Sequence, residues 1–184
     1  MPASSAKRLQ LVPASPLLLR LELDDPDAFA ALLKANLPED WPPGEYDHDA
    51  MQFFLERMLE GGESAAGWYS WYAILPGENG EPSDLVGCGG YFGPPDAAGS
   101  VEIGYSIAAR WRGMGLAKEL VRALLRQARQ RGATRIVAHT SEENPASMAV
   151  LRHCRFQQIG REDSGMLCFE CVAPFDSHGS TIAL

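Results

Sequence analysis

The chain has 184 residues, 46% hydrophobic and 22% charged, with a formal net charge of −8. That length suits one domain with a substantial core, and the composition excludes a disordered or fibrous chain. No apolar run approaches the roughly 20 residues of a membrane helix, and residues 1–20 lack the continuous apolar segment and small-residue cleavage site of a secretory signal, so a cytoplasmic protein is expected.

Leu9–Val12 and Leu17–Leu21 are short apolar runs that read as two strands, or as one strand and an extension. Asp24-Asp25-Pro26 opens a helix whose apolar stripe is Phe29, Leu32 and Leu33. Residues 36–47, rich in Pro, Gly and acid, form a loop carrying Trp41 and Tyr46. Asp47 or Asp49 caps a second helix with Met51, Phe54, Leu55, Met58 and Leu59 at helical spacing, ended by Gly61-Gly62. Residues 68–75 form a strand, 76–80 a hairpin loop and 85–92 the next strand, in which Gly89-Gly90 is a candidate bulge. In residues 101–108, Val101, Ile103, Tyr105 and Ile107 alternate with Glu102, Gly104, Ser106 and Ala108, which predicts a third strand of an antiparallel meander.

After a turn over 112–117 comes an amphipathic helix. Leu116, Leu120, Val121, Leu124, Leu125 and Ala128 share one face, Arg122, Arg126 and Arg129 the other, and Gly132 marks its end. Residues 135–140 then form a strand parallel to 101–108, completing a βαβ unit. Asn144–Cys154 is a helix with Met148, Val150 and Leu151 inward, and strands over 156–159 and 166–172 form a hairpin around Asp163-Ser164-Gly165. Residues 174–184 read as a frayed tail. No repeat or linker divides residues 1–184, so a single domain is expected.

Charge is unevenly placed. Residues 1–92 hold 5 Lys/Arg and 15 Asp/Glu, a net of −10, whereas residues 93–184 hold 11 and 9, a net of +2. An acidic half repels nucleic acid and suits a cation such as an amine, although it serves solubility equally well. The cysteines form no framework. Cys88 and Cys154 stand alone in apolar surroundings, and Cys168 and Cys171, three apart on a strand, point to opposite faces and cannot share a metal.

The turn Arg112-Gly113-Met114-Gly115-Leu116-Ala117 carries the strongest chemical signal. Its glycines leave N–H groups uncovered at the positive end of a helix, which suits a phosphate or pyrophosphate. A P-loop needs Lys and Ser/Thr after the second glycine, where Leu116-Ala117 stand. A dinucleotide fingerprint needs Gly at 118, where Lys118 stands.

Arg112-x-x-Gly115-x-Ala117, preceded by the strand Glu102–Ile107 and followed by Asn144-Pro145-x-Ser147-x-x-Val150-Leu151, closely resembles the GNAT N-acetyltransferase superfamily, above all the branch holding the ribosomal-protein N-terminal acetyltransferases. The motifs span roughly residues 84–160. The resemblance implies an α+β fold of three layers, with a mixed, mostly antiparallel sheet of about six or seven strands, a central βαβ unit and flanking helices. It implies acetyl-CoA as cosubstrate, no metal, and an amine acceptor, either a protein N-terminus or a small molecule. No nucleic acid or membrane partner is implied, and a homodimer is left open. The strand end at Ser106, Ile107 and Ala108 would splay and bond the pantetheine through its backbone. Arg112, Gly113, Met114, Gly115, Leu116, Ala117 and Lys118 would hold the pyrophosphate, mostly through main-chain N–H groups. Asn144, Ser147 and Leu151 would lie along the same groove. Asn144 suits a helix cap equally well, and Arg112 a solvated charge.

Acetyl transfer needs a base for the amine proton and an N–H donor, here near Ile107, for the oxygen that gains charge. The resemblance makes Glu102 the first candidate base, with pairing to a nearby Arg as its alternative role. His139, at the end of the parallel strand, is a second candidate. Many relatives carry a Tyr where this chain has Leu151, which leaves Ser147, one turn earlier, as proton donor. Arg155 also replaces a family Gly, with no role legible from the sequence. Trp41, Tyr46, Asp47 and His48, with the second helix, are expected to wall the acceptor site, their acidic and aromatic character suiting a cation. The missing Tyr keeps a second reading open, a catalytically silent acyl-CoA binding or sensing module.

Overall fold

The computed structural model describes residues 8–172, so the tail expected over 174–184 lies outside the described residues. Gln10–Pro13 forms the expected first strand (β1). The next apolar run is a helix instead, Pro16–Asp24 (α1). Ser15 accepts from the Leu18 N–H and Pro16 opens the first turn, a strong start signal. Leu18, Leu19 and Glu22 turn inward, and Leu17 stays exposed. Asp25 caps the second helix, Pro26–Leu33 (α2), and a two-residue strand, Ala35–Asn36 (β2), follows. Asp47 caps the third helix, His48–Gly61 (α3), through the Ala50 N–H. Met51, Phe54, Leu55 and Met58 are buried as their spacing predicts, whereas Leu32 and Leu59 are exposed at the margins of their stripes.

Ser70–Leu75 (β3), Ser83–Tyr91 (β4) and Ser100–Ile107 (β5) form the antiparallel meander. Leu116–Gln130 (α4) returns the chain to Arg135–Thr140 (β6), which runs parallel to β5. Pro145–His153 (α5) leads to the closing hairpin, Gln157–Arg161 (β7) and Leu167–Val172 (β8). The sheet order is β1-β3-β4-β5-β6-β8-β7, with β2 paired to β4 beside that path. Among the described residues that path has seven strands, as expected, and the two-residue β2, too short to leave a period in the sequence, is an eighth. Among the described residues, only β5–β6 and β2–β4 are parallel.

Strand alternation sorts the layers. Tyr72 meets Phe29 of α2 with ring centroids 5.1 Å apart, on the face covered by α1–α3. Its cross-strand partner is Cys88, so Tyr91, three residues on, lies on the opposite face, where its hydroxyl donates to the Leu124 carbonyl of α4 at 2.6 Å. The register shift in β4 falls at Val86, between the pairs Ala73–Gly87 and Ile74–Leu85, not at Gly89-Gly90. Gly90 answers a different need, since a Cβ there would come within 1.8 Å of the Tyr69 carbonyl oxygen.

Beneath α1, the buried carboxylate of Glu22 accepts from Trp41 Nε1 at 2.9 Å, Tyr46 Oη at 2.9 Å and Tyr72 Oη at 2.6 Å. These bonds fix the loop between α2 and α3 from the inside. Burial pushes the Glu22 carboxyl up from 4.5 to about 7, against the pull of its three donors. A raised carboxyl favours the fold fully below pH 4.5, and the contribution is lost as pH rises through about 7. Its size is on the order of 3 kcal/mol. Denaturant titrations of wild type and Glu22→Gln at pH 5 and pH 8 should show the variant gaining on wild type at the higher pH by that order. A stability difference independent of pH would contradict it.

Candidate active site

Two strands part where the sequence motifs meet. β5 and β6 pair from Ser100–Arg135 to Ile103–Ala138 and no further. Beyond that rung β6 stays with β8 as far as Thr140, and β5 stays with β4 as far as Ile107, so a wedge opens between residues 104–107 and 139–140. The Phe92 N–H donates to the Glu102 carbonyl and the Ala108 N–H to the Val86 carbonyl. By the alternation of an antiparallel ladder, the peptide groups of Glu102, Gly104, Ser106 and Ala108 therefore point at β4, and those of Tyr105 and Ile107 point into the wedge. Among the expected backbone donors, Ile107 thus faces the opening, whereas Ser106 and Ala108 face away.

Arg112 curls back, its Nε donating to the Ile107 carbonyl at 2.9 Å, which holds the strand end in place. The glycines after it take φ of +77° at Gly113 and +79° at Gly115, conformations that side-chain-bearing residues rarely adopt. The turn is exposed, Leu116 anchors it in the core, and α4 begins there with first-turn N–H groups lacking intrahelical partners. Lys118 lies in that turn, and Arg122 donates to His153 Nε2 of α5 at 2.9 Å. Desolvation, Lys118 and Arg122 hold His153 below its ordinary value.

Sequence reading missed Arg8. Its guanidinium donates to the Met114 carbonyl at 3.1 Å and pairs with Glu119 at 3.2 Å, and Glu119 also accepts the Leu9 N–H at 2.8 Å. A partner 106 residues away leaves no local pattern.

On the face of α4 and α5, Asn144 is the cap of α5, its Oδ1 accepting from the Ser147 N–H at 3.0 Å. Ser147 Oγ lies 3.0 Å from Tyr105 Oη, so a phenol does reach this part of the groove, supplied by β5 rather than by position 151. Burial, only partly offset by the bond to Ser147, pushes that phenol up to about 12. Leu151, expected along the groove, is fully buried and belongs to the core. Arg155 adopts φ of +69°, the left-handed conformation that favours glycine, so the turn keeps the shape of the residue it replaces.

On the opposite face, Glu102 pairs with His139 rather than with an arginine. Oε1 of Glu102 lies 2.8 Å from His139 Nδ1, and His139 Nε2 lies 3.1 Å from Oε1 of Glu162, in the turn before β8. Beside them is an open depression of about 320 Å³ lined by Phe92, Pro94, Asp96, Glu102 and Val137. Trp41, Tyr46 and Asp47 do not wall this region. The first two point at Glu22 and the third caps α3, while the exposed His48 is 3.8 Å from Asp49. The loop reaches the wedge through other residues. Asp40 Oδ2 accepts from the Ala109 N–H at 2.7 Å, and Gly44 sits so close that a Cβ would lie 2.6 Å from Ser106 Oγ. Among the described residues, no group of three His, Cys, Asp or Glu is placed to hold a metal ion, and the four cysteines are free.

The chain is similar to known proteins in family and in fold. A family model described as an acetyltransferase (GNAT) domain matches residues 17–157. Among curated proteins no match is found. Ribosomal-protein-S5-alanine acetyltransferase from Vibrio fischeri aligns with a TM-score of 0.62 at 13% identity, over 91% of this chain and 94% of that one. The dodecameric spermidine N-acetyltransferase from Vibrio cholerae gives 0.61 at 15%, over 90% and 94%. yncA from Salmonella typhimurium, solved with its cofactor acetyl-CoA, gives 0.58 at 17%, over 96% and 99%. At such identities these structures share the fold. The family match runs from α1 into β7, well over half of the sequence, and on it the chain belongs to the GNAT acetyltransferase family.

Proposed function

We propose that the protein transfers the acetyl group of acetyl-CoA to the nitrogen of an amine. The observation that carries this reading is the continuity of the wedge with the glycine turn. Peptide groups of Tyr105 and Ile107 open into the gap, and the chain then presents uncovered N–H groups at the start of α4. A long amide-bearing arm fits the first and a pyrophosphate the second. Residues 113–118 would hold the pyrophosphate mainly through main-chain N–H groups. Arg112 then serves chiefly to fix the strand end, and Arg8 adds positive charge beside Met114. Asn144 would shape the α5 side of the groove.

The reacting groups divide between the two faces of the sheet. Glu102, beside the depression, takes the proton that the amine must lose before it attacks. The Ile107 N–H is directed to stabilise the oxygen that gains charge as the thioester carbonyl is attacked. Ser147, with the protonated phenol of Tyr105 behind it, donates to the departing thiolate from the other side. Carboxylates of Glu102 and Asp96 next to Phe92, Pro94 and Val137 favour an acceptor with a cationic nitrogen on a partly apolar body. The spermidine enzyme that shares the fold is named for an amine of this charge.

Incubation with acetyl-CoA and a panel of amines, following thiol release, tests the reading. At least one amine should raise release well above hydrolysis. Coenzyme binding with no responsive amine would favour an acyl-CoA binding module instead. Glu102→Gln should lower kcat by roughly 10²–10⁴-fold with coenzyme affinity kept; unchanged turnover would remove Glu102 as base. Gly113→Ala forces a side chain into a left-handed conformation at ~1–2 kcal/mol. The free turn already holds this φ, so denaturant titration should show the variant less stable by that amount, and unchanged stability would contradict the left-handed turn.

A further inference from the structure

We infer that the side chains of Lys118 and Arg122 form a seat for the 3′-phosphate monoester of the coenzyme, so that the protein distinguishes coenzyme A from its 3′-dephospho form. The inference rests on the acetyl-CoA reading above. It concerns the flank of α4 against which α5 ends.

Helix geometry brings the two cations together. Lys118 is three residues beyond Gly115 and Arg122 four further on, so they stand on one side of α4 in successive turns. At about 1.5 Å of rise per residue, they lie roughly 5 and 10 Å along the axis from the start of the helix. The end of α5 packs against both. Cys154 Sγ lies 3.7 Å from the Lys118 carbonyl, and Arg122 Nη2 lies 2.9 Å from His153 Nε2. Lys118 and Arg122 are half-buried, so part of their hydration is already given up.

Charge singles this place out. Among the described residues no carboxylate pairs with Lys118 or Arg122, whereas Arg57, Arg135 and Arg161 each have a glutamate. Arg8, on the other side of the turn, is countered by Glu119 at 3.2 Å. Glu119 follows Lys118 in sequence, but one residue turns a helix by about 100°, so its carboxylate serves the β1 side. Farther along, Arg126 borders a cleft that Glu119 also lines. The imidazole of His153 registers the surplus. Desolvation, and then the charges of Lys118 and Arg122, hold it below its ordinary value, and no carboxylate among the described residues opposes them. Like charges on adjacent turns of a helix destabilise it, and an anion between them removes that cost.

The coenzyme carries such an anion. Its ribose bears the diphosphate on the 5′ oxygen and a phosphate monoester on the 3′ oxygen. A diphosphate held at the first-turn N–H groups of α4 therefore leaves the monoester one sugar away. A monoester bears a charge of about −1.5 to −2 at neutral pH and accepts from several donors at once. Arg122 offers a planar pair of N–H groups and Lys118 a mobile ammonium. The main-chain N–H of Lys118 stays with the diphosphate, so one residue serves both groups. No bond is made or broken there, and the seat contributes affinity and selection.

Calorimetry at low ionic strength, with coenzyme A and 3′-dephospho-coenzyme A as titrants, tests the inference on wild type, Arg122→Gln and Lys118→Gln. Wild type should bind coenzyme A more tightly than the dephospho form by roughly 10-fold or more. Each substitution should remove most of that preference by weakening coenzyme A alone. Retained affinity for the dephospho form then shows that the variant is folded. Added salt should shrink the preference in wild type. Equal affinity of wild type for the two forms, or equal weakening of both by the substitutions, would overturn the inference while leaving acetyl transfer intact. A wild-type protein that binds neither form would instead overturn both.

Discussion

Two parallel strands that stop pairing halfway govern the rest of the molecule. Backbone N–H and C=O groups must find partners, and β6 finds them in β8 while β5 finds them in β4. What is left is one edge of β5 turned to the gap. Arg112 satisfies its last carbonyl, and the glycine turn begins there, so one backbone feature places both the narrow part of the wedge and the turn proposed to bind an anion. The period of two along β5 then sends Tyr105 toward α5 and Glu102 toward the opposite face, so neighbouring residues of a single strand serve different sides of the gap.

The strand, turn and helix over 100–130 were legible because their signals are local. Alternation in β5, two glycines at fixed spacing and an unbroken amphipathic stripe in α4 each fit within one element. Reading failed where a pattern fitted two periods or came from afar. The leucines at 17, 18, 19, 21 and 23 satisfy helix and strand alike, and only Ser15 and Pro16 distinguish them. β2 is too short for any period. The site divides the same way. Glu102, Ser147 and the glycine turn are proposed from motif residues, whereas Arg8, Glu162 and the phenol of Tyr105 meet that region through tertiary contacts.

Acidity of the N-terminal half reads differently once its carboxylates are placed. Glu22 is enclosed by aromatic donors, Asp25 and Asp47 cap helices, Asp40 binds the Ala109 N–H and Asp84 accepts from Asn36. Much of the negative charge is thus committed to holding structure. Glu102 and Glu162, the carboxylates on either side of His139, come from the half that is not acidic overall.

The loop between α2 and α3 is tied at several points along its length. Trp41 and Tyr46 are bonded to Glu22 inside the protein, Asp40 to the end of β5, and Gly44 rests on Ser106. A molecule entering the wedge beside this loop meets a backbone already ordered. Little conformational entropy remains to be lost on contact, so discrimination there follows from the fit of a rigid edge rather than from a segment closing over its guest.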